Sequence, residues 1–494
     1  MINQLTFLIN EAKTSLRNRN LKSAELFLRQ ASILDAKNFE ILRLSGVLEA
    51  QKKNYEKALD FFKKALKVSP SSELVISNIG NIYFEQRKFH KALEFFESAI
   101  NLNQNYADAY GNRGNTLQEL RNFNEAIISY DKAIAIDPND AKLYINQGNA
   151  FMETGRLESA IACYEHAIQL QPDDYSAYWH ASLALLLSGN FNDGFRLYEA
   201  RWADSDQFRF TGGKRNFPQE LWLGSQSLIG KTILIYCEQG LGDALQFCRY
   251  VRLVSDLGAN VILEAPEPLI DLFSRLEGVS ELIIKGQDLP LFDYHCPLLS
   301  LPLALNTTID SIPFGHSYLS SDPAKVRIWN EKLGKRKKIR IGIAWSSVSE
   351  FKNDFKRSLL LSDFVKALPD GDYEYICLQK ELKECDKNFF YSYKKIMFFG
   401  DDLKDFGDTA ALIDCVDLVI TTCTSVPHLS AALGKETWIL LSFIPDWRWL
   451  LDRLDSPWYP SVKLFRQEGL DDWGKVLGKV KENITDFCRQ NIKI

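Results

Sequence analysis

Small and bulky apolar positions in the first two hundred residues recur with a period of 34. Gly46, Gly80, Gly114 and Gly148 occupy one slot, and Ala24, Ala58, Ala92, Ala126 and Ala160 another. Ala31, Ala65, Ala99, Ala133 and Ala167 form a third series, and Phe62, Phe96, Tyr130 and Tyr164 a fourth. Pro70, Pro138 and Pro172 recur as well, with Gln104 in the remaining position. Small residues at fixed helical positions let two antiparallel helices approach closely, and each aromatic fills the gap to the next pair. Proline ends the second helix, because it lacks an N–H and clashes with the preceding turn. The pattern predicts stacked helix pairs over residues 1–202, with a weak opening copy at 5–37. A degenerate last copy at 175–202 has Ser182 in the glycine slot and Gly194 in the alanine slot.

After Trp202 the period stops, and short apolar runs alternate with glycine turns. Residues 203–230, with Gly212-Gly213, Pro218 and Gly224, are expected to be a connector. Strands are predicted at Thr232–Cys237, Val261–Leu263 and Glu281–Ile284, and a helix at Ala244–Leu257 between the first two. The basic run Lys335–Lys338 marks a second boundary. Further strands are predicted at Ile339–Trp345, Tyr375–Leu378, Ile396–Phe399, Leu418–Thr421 and Thr437–Leu441. Helices are expected at Ala410–Cys415, Val426–Leu433 and about 472–490. The fold class is an α-solenoid followed by two α/β lobes, 231–334 and 335–494, with a cleft suited to a ligand at strand carboxyl ends.

The repeat slots resemble those of the tetratricopeptide repeat. In that architecture the first helix of each pair lines a concave face. Asn78, Asn112 and Asn146 recur there, with His180 next, and Asn81, Asn115 and Asn149 follow three residues later. A primary amide donates and accepts at once, so such a ladder can grip an extended peptide backbone. The alternative is that asparagine is a solvated consensus residue. The arrangement is similar to the asparagine ladder of O-linked N-acetylglucosamine transferases, which implies a protein or peptide acceptor.

Charge and cysteine content narrow the setting. The 494 residues carry 59 Lys+Arg against 64 Asp+Glu, a net charge of -5, which argues against non-specific binding to nucleic acid. Nine cysteines without a C-x-x-C pair suggest neither a zinc site nor a disulfide framework, so a cytoplasmic setting is expected. No apolar run approaches the ~20 residues of a membrane span, and no signal peptide is evident. A dimer is conceivable, since repeat surfaces self-associate.

The chain has no P-loop, no H-E-x-x-H and no G-x-S-x-G element. The turn Gly240-Leu241-Gly242 carries Leu245 where a dinucleotide fingerprint would have its third glycine. Asp243 at the end of this turn is either a helix cap or a functional carboxylate.

The stretches Y-C-E-Q-G-L-G-D-A-L-Q-F and T-C-T-S-V-P-H-L-S-A-A-L-G resemble two-lobed, GT-B type glycosyltransferases of the heptosyltransferase family. Bacterial proteins fusing such a module to tetratricopeptide repeats are more similar still. F-D-Y-H-C-P-L-L-S-L-P, D-F-G-D-T-A-A-L-I and P-D-W-R-W-L-L-D-R-L-D-S-P-W-Y-P extend the resemblance. It implies an inverting, metal-independent transfer from a nucleotide-sugar to an acceptor hydroxyl, with no cofactor and with Asp243 as general base. The second lobe would bind the donor through Ser346, Arg357, Lys380, Thr424, Ser425 and His428. Ser347, Lys352, Lys356 and Asp408-Thr409 are weaker candidates. The lysines could equally be solvated, and His428 a packed helix residue. Cys423 stands where the family has aspartate, and a neutral thiol is expected to be a poorer acceptor there. That departure keeps open a repeat scaffold with a degenerate transferase fold. A transferase acting on a lipid-linked or polysaccharide acceptor is a third reading.

Overall fold

The computed structural model describes residues 2–203, 214–347 and 354–491. The chain divides into two compact units, 1–177 and 178–494. The first holds α1 (Ile2–Arg17), α2 (Leu21–Leu34), α3 (Phe39–Gln51), α4 (Tyr55–Val68), α5 (Glu73–Glu85) and α6 (Phe89–Leu102). It continues with α7 (Ala107–Glu119), α8 (Phe123–Ile136), α9 (Ala141–Glu153) and α10 (Leu157–Leu170). α11 (Tyr175–Ser188) spans the division, and α12 (Phe191–Tyr198) lies within the second unit.

The periodic slots have direct packing explanations. The ten alanines of the two alanine series are fully buried. At each slot glycine the aromatic ring of the same pair fills the missing Cβ position: an added Cβ would lie 2.4 Å from Phe62, 2.7 Å from Phe96, and 2.5 Å from Tyr130 and from Tyr164. The aromatic therefore closes its own pair as well as reaching the next, since Phe62 shares a cluster with Val75 and Ile79 of α5. Pro70, Pro138 and Pro172 each follow a helix end by two residues, at α4, α8 and α10. One periodic feature is hidden from a hydropathy reading. The turn inside each pair uses a left-handed residue at the same slot, Arg19, Lys53, Arg87, Arg121, Gly155 and Gly189. Glycine would signal that turn, but it occupies two of the six positions.

The second unit contains β1 (Glu220–Leu221), β2 (Thr232–Tyr236), β3 (Asn260–Ala265), β4 (Glu281–Ile284) and β5 (Tyr294–Pro297). These form a parallel sheet in the order β1-β5-β2-β3-β4. A second sheet is built from β6 (Ile339–Ala344), β7 (Tyr373–Cys377), β8 (Ile396–Phe398), β9 (Leu418–Thr422), β10 (Thr437–Leu441), β11 (Asp455–Ser456) and β12 (Tyr459–Arg466). Its order is β11-β12-β10-β9-β6-β7-β8, parallel except for the β11–β12 pair. Every residue of β6 is buried, as a central strand covered on both faces must be. Each sheet changes direction of strand addition once, between β2 and β5 and between β6 and β9. Ligands of doubly wound sheets bind outside the carboxyl ends at such points.

The expected strands are present, with ends that match or shift by at most two residues. β1, β5, β11 and β12 were not anticipated: β1 and β11 have two residues each, β5 ends in Pro297, and β12 carries Pro460. The helix expected over Ala244–Leu257 is two helices, Leu241–Phe247 and Tyr250–Asp256, broken where Arg249 turns inward. β1 and an ion pair between Arg215 and Glu264 lie in the expected connector, whose Gly212-Gly213 falls outside the described residues.

Candidate functional site

At the first direction change, β2 runs into Glu238, Gln239 and Gly240, and the helix Leu241–Phe247 begins. Gly240 has an extended backbone (φ -70), so its glycine is not required by the left-handed region. Gly242 is required by close approach. A Cβ there would stand 3.2 Å from the His428 ring and 3.5 Å from Ser425 Cα. The glycine turn thus touches the helix Ser425–Ala432, which follows β9 in the second sheet. Asp243 caps the helix and also reaches the second sheet. Its Oδ2 accepts the Gly240 N–H at 2.9 Å, capping the helix, while Oδ1 is ion-paired with Arg448 from the second sheet. Burial outweighs the Arg448 guanidinium and pushes the Asp243 carboxyl above the usual carboxylate range.

Arg448 belongs to the turn Trp447–Trp449 after β10, and its side chain is 8% exposed. Its Nη1 donates to Asp446 Oδ1 at 2.9 Å, and its plane lies 4.3 Å from the Trp447 ring. Asp446 also accepts the Arg448 backbone N–H at 3.0 Å. Burial opposes ionisation of Asp446, but the guanidinium and that N–H hold its carboxyl below the usual range. The flanking tryptophans are anchored. Trp447 packs against Phe195, 5.7 Å away, and Phe247, 6.2 Å away, and Trp449 stacks on His428 at 5.1 Å.

The expected donor residues are dispersed into several roles. Ser346, at the end of β6, is buried; its N–H donates to Gln379 Oε1 at 3.1 Å and its hydroxyl accepts Gln379 Nε2 at 3.4 Å. Arg357 Nε donates to Asp354 at 3.2 Å, and the adjacent Ser358 hydroxyl donates to the same carboxylate. Lys380 is exposed and donates to the Lys404 carbonyl at 3.0 Å. Thr424 caps the helix Ser425–Ala432 by accepting the Val426 N–H at 3.3 Å, and Ser425 opens it. His428 is enclosed: Nδ1 is 3.0 Å from the Tyr459 hydroxyl, and burial pushes its pKa down to about 3. A neutral, stacked imidazole is a packing group, as its alternative reading held. Asp408 accepts the Lys404 N–H at 3.1 Å and pairs with Lys325, and Thr409 donates to the Asp405 carbonyl. Both therefore stabilise a helix start. Lys352 lies outside the described residues.

Cys423 is engaged by the loop that follows β10. Its sulfur accepts the Trp449 indole N–H at 3.1 Å, so the thiol does take a donor from the neighbouring loop. Burial pushes that thiol up to about 11, which keeps it neutral. Three groups have no counterpart in the sequence pattern. Gln379 locks the end of β6, and Asp446 with Arg448 forms the cluster on Asp243. The third, Arg249, is held by carbonyl oxygens of Gln246 at 2.8 Å and Trp458 at 2.9 Å and by the Tyr318 hydroxyl at 3.0 Å. An arginine between aromatics, as in Trp447-Arg448-Trp449, is the one local signal that could have suggested a buried cation.

In the first unit the two asparagine series part company. Asn115 Oδ1 accepts the Tyr130 hydroxyl at 2.7 Å and Asn146 Nδ2 at 3.0 Å, and Asn149 Oδ1 accepts the Tyr164 hydroxyl at 2.8 Å. Asn81 lies one pair earlier, where the aromatic is Phe96 and has no hydroxyl, and it is exposed. The later series thus serves tyrosine hydroxyls. Asn78, Asn112 and Asn146 are half-buried, and Asn78 Nδ2 is buried without a partner. Among the described residues no cluster of His, Cys, Asp and Glu is placed to hold a metal ion. No described helix is long and apolar enough to cross a membrane.

Together these features define a repeat scaffold followed by two parallel α/β sheets. Tetratricopeptide-repeat families match residues 9–73, 80–120, 107–140, 129–162 and 148–189, so the N-terminal region is a tetratricopeptide-repeat scaffold of the protein-interaction type. Protein FlbA of Caulobacter vibrioides is 28% identical over 331 residues, 60% of this chain and 52% of that protein. The chain spans about half the length of that curated relative. Among solved structures, the chain is similar to pilF of Pseudomonas aeruginosa, with 14% identity and a TM-score of 0.37 over 42% of this chain and 96% of that one. It is also similar to YrrB, described as a TPR protein with an unusual peptide-binding site, with 19% identity and a TM-score of 0.30 over 35% and 89%. MamA shows 24% identity and a TM-score of 0.30 over 31% and 91%.

Proposed function

We propose that the second unit is a glycosyltransferase that moves a sugar from a nucleotide-sugar donor to an acceptor hydroxyl, with the repeat scaffold recruiting a protein acceptor. One observation carries the reading. The Asp243 carboxylate stands at the direction change of the first sheet and is turned toward the second sheet, whose own direction change lies beside Thr424 and Ser425. A general base must come within hydrogen-bond reach of the attacking hydroxyl, and an inverting displacement needs donor and acceptor on opposite sides of the anomeric carbon. A carboxylate on one sheet turned toward the other, close to a helix start, supports that reading. The dipole of the helix Ser425–Ala432 favours negative charge at that start.

Full-length protein with saturating nucleoside diphosphate is expected to melt at higher temperature. At a hundredfold excess over Kd the stabilisation is about 2.7 kcal/mol. Uridine, guanosine, adenosine and cytidine diphosphates should be compared. Silence with all four, together with no mass increase of any lysate protein in a donor screen, would remove the reading. A second reading, a repeat scaffold with an inert α/β module, is favoured by the enclosure of His428 between Trp449, Tyr459 and Gly242.

The acceptor side has its own test. Replacing Asn78, Asn112 and Asn146 together by alanine is expected to raise KM for a protein acceptor by about tenfold or more, since each lost hydrogen bond is worth ~1 kcal/mol. Donor hydrolysis should be unchanged. Equal losses in both would exclude a peptide groove.

A further inference from the structure

We propose that Arg448 serves two anions in turn: Asp243, with which it is paired here, and the diphosphate of the donor during transfer. The inference rests on the transferase reading above. Arg448 sits between two carboxylates, with Nη2 on Asp243 and Nη1 on Asp446, and its Nε is buried without a partner. A guanidinium presents its N–H groups as a planar fork that matches phosphate oxygens as well as carboxylates.

The position suits the exchange. Asp243 follows Gly242, and Gly242 lies against Ser425, the first residue of the helix Ser425–Ala432. The Thr422 hydroxyl, fully buried just before that turn, also has no partner. Base, cation and helix start therefore meet at one place. Of the cations expected at the donor, Lys380 is bound to the Lys404 carbonyl and Arg357 to Asp354. Because Trp447 and Trp449 are anchored on either side, the guanidinium can swing without unseating its loop.

The chemistry gains from the exchange. While Arg448 is on Asp243 it favours the ionised carboxylate and weakens it as a base. When the cation turns to the diphosphate, the carboxylate regains basicity as the donor arrives. The acceptor hydroxyl then gives its proton to Asp243, and its oxygen bonds to the anomeric carbon. The bond from that carbon to the diphosphate oxygen breaks, with the electron pair leaving on the phosphate. Arg448 neutralises that charge.

Calorimetric titration of the four nucleoside diphosphates into the full-length chain tests this. In Asp243→Asn the competing charge is gone, and the preferred diphosphate should bind about fivefold tighter or more. Arg448→Gln should weaken it about tenfold or more, and Arg448→Lys, which keeps the charge without the fork, should fall between. Should Arg448→Gln fail to fold, the lysine and asparagine variants decide. Binding by the natural chain with unchanged affinity in Asp243→Asn overturns the exchange and leaves the transferase reading intact. If none of the folded variants nor the natural chain binds any of the four, the transferase reading falls, and the exchange with it.

Discussion

Asp243→Asn is expected to lower sugar transfer by about 10²–10⁴-fold, the range in which a positioned general base contributes. Asparagine keeps an oxygen for the Gly240 N–H, so the helix cap survives and the loss is chemical. The control is fold: circular dichroism of the variant should match that of the natural chain, with a melting temperature lowered only by the lost ion pair to Arg448. The pH profile gives a second check. Burial raises the Asp243 carboxyl, and a base acts only when ionised, so turnover should climb with pH through a point above the ordinary aspartate value of 3.8. In Asp243→Asn that acid limb should vanish. Turnover within about threefold of the natural chain, against the expected 10²-fold loss, would exclude Asp243 as the base.

The largest effect on stability is expected at Gly114→Val. The new Cβ would fall 2.5 Å from the Tyr130 ring, and the two further methyls have no room. Overpacking costs about 1–3 kcal/mol. Moving the ring also breaks the Tyr130 hydroxyl bonds to Asn115 and Gln118, adding ~1 kcal/mol each. Valine's better helix propensity returns only a few tenths of ~1 kcal/mol. Urea unfolding of the full chain, followed by helical circular dichroism, should show an early transition shifted by about 3 kcal/mol. Gly469→Ala, where nothing lies within 4 Å of an added Cβ, should leave the curve in place. Coincident curves for all three proteins would mean that the ring does not occupy the glycine slot.

Much of the fold follows from periodic residues. Gly114, Ala126, Ala133 and Tyr130 each stand where sterics leave one choice, so a 34-residue repeat exposes them directly. The central strands β2, β6, β9 and β10 are also legible, because parallel strands buried on both faces are continuous apolar runs. The strands one place in from a sheet edge are not: β5 contains His295 and ends in Pro297, and β12 mixes buried and exposed residues and carries Pro460. The candidate site divides in the same way. Gly242 and Asp243 stand out because close approach and capping are local demands. Arg448 and Arg249 are placed by contacts more than sixty residues away in sequence, which no local spacing signals, and Asp446 matters only through its bonds to Arg448.

The left-handed residue at Arg19, Lys53, Arg87 and Arg121 makes each pair in the first unit turn back on itself at the same point. A joint repeated so regularly means that a whole module of 34 residues can be duplicated or deleted without new hinge geometry. The scaffold behaves as a ruler graduated in single pairs, whose reach is set by copy number while each graduation keeps the same internal bend.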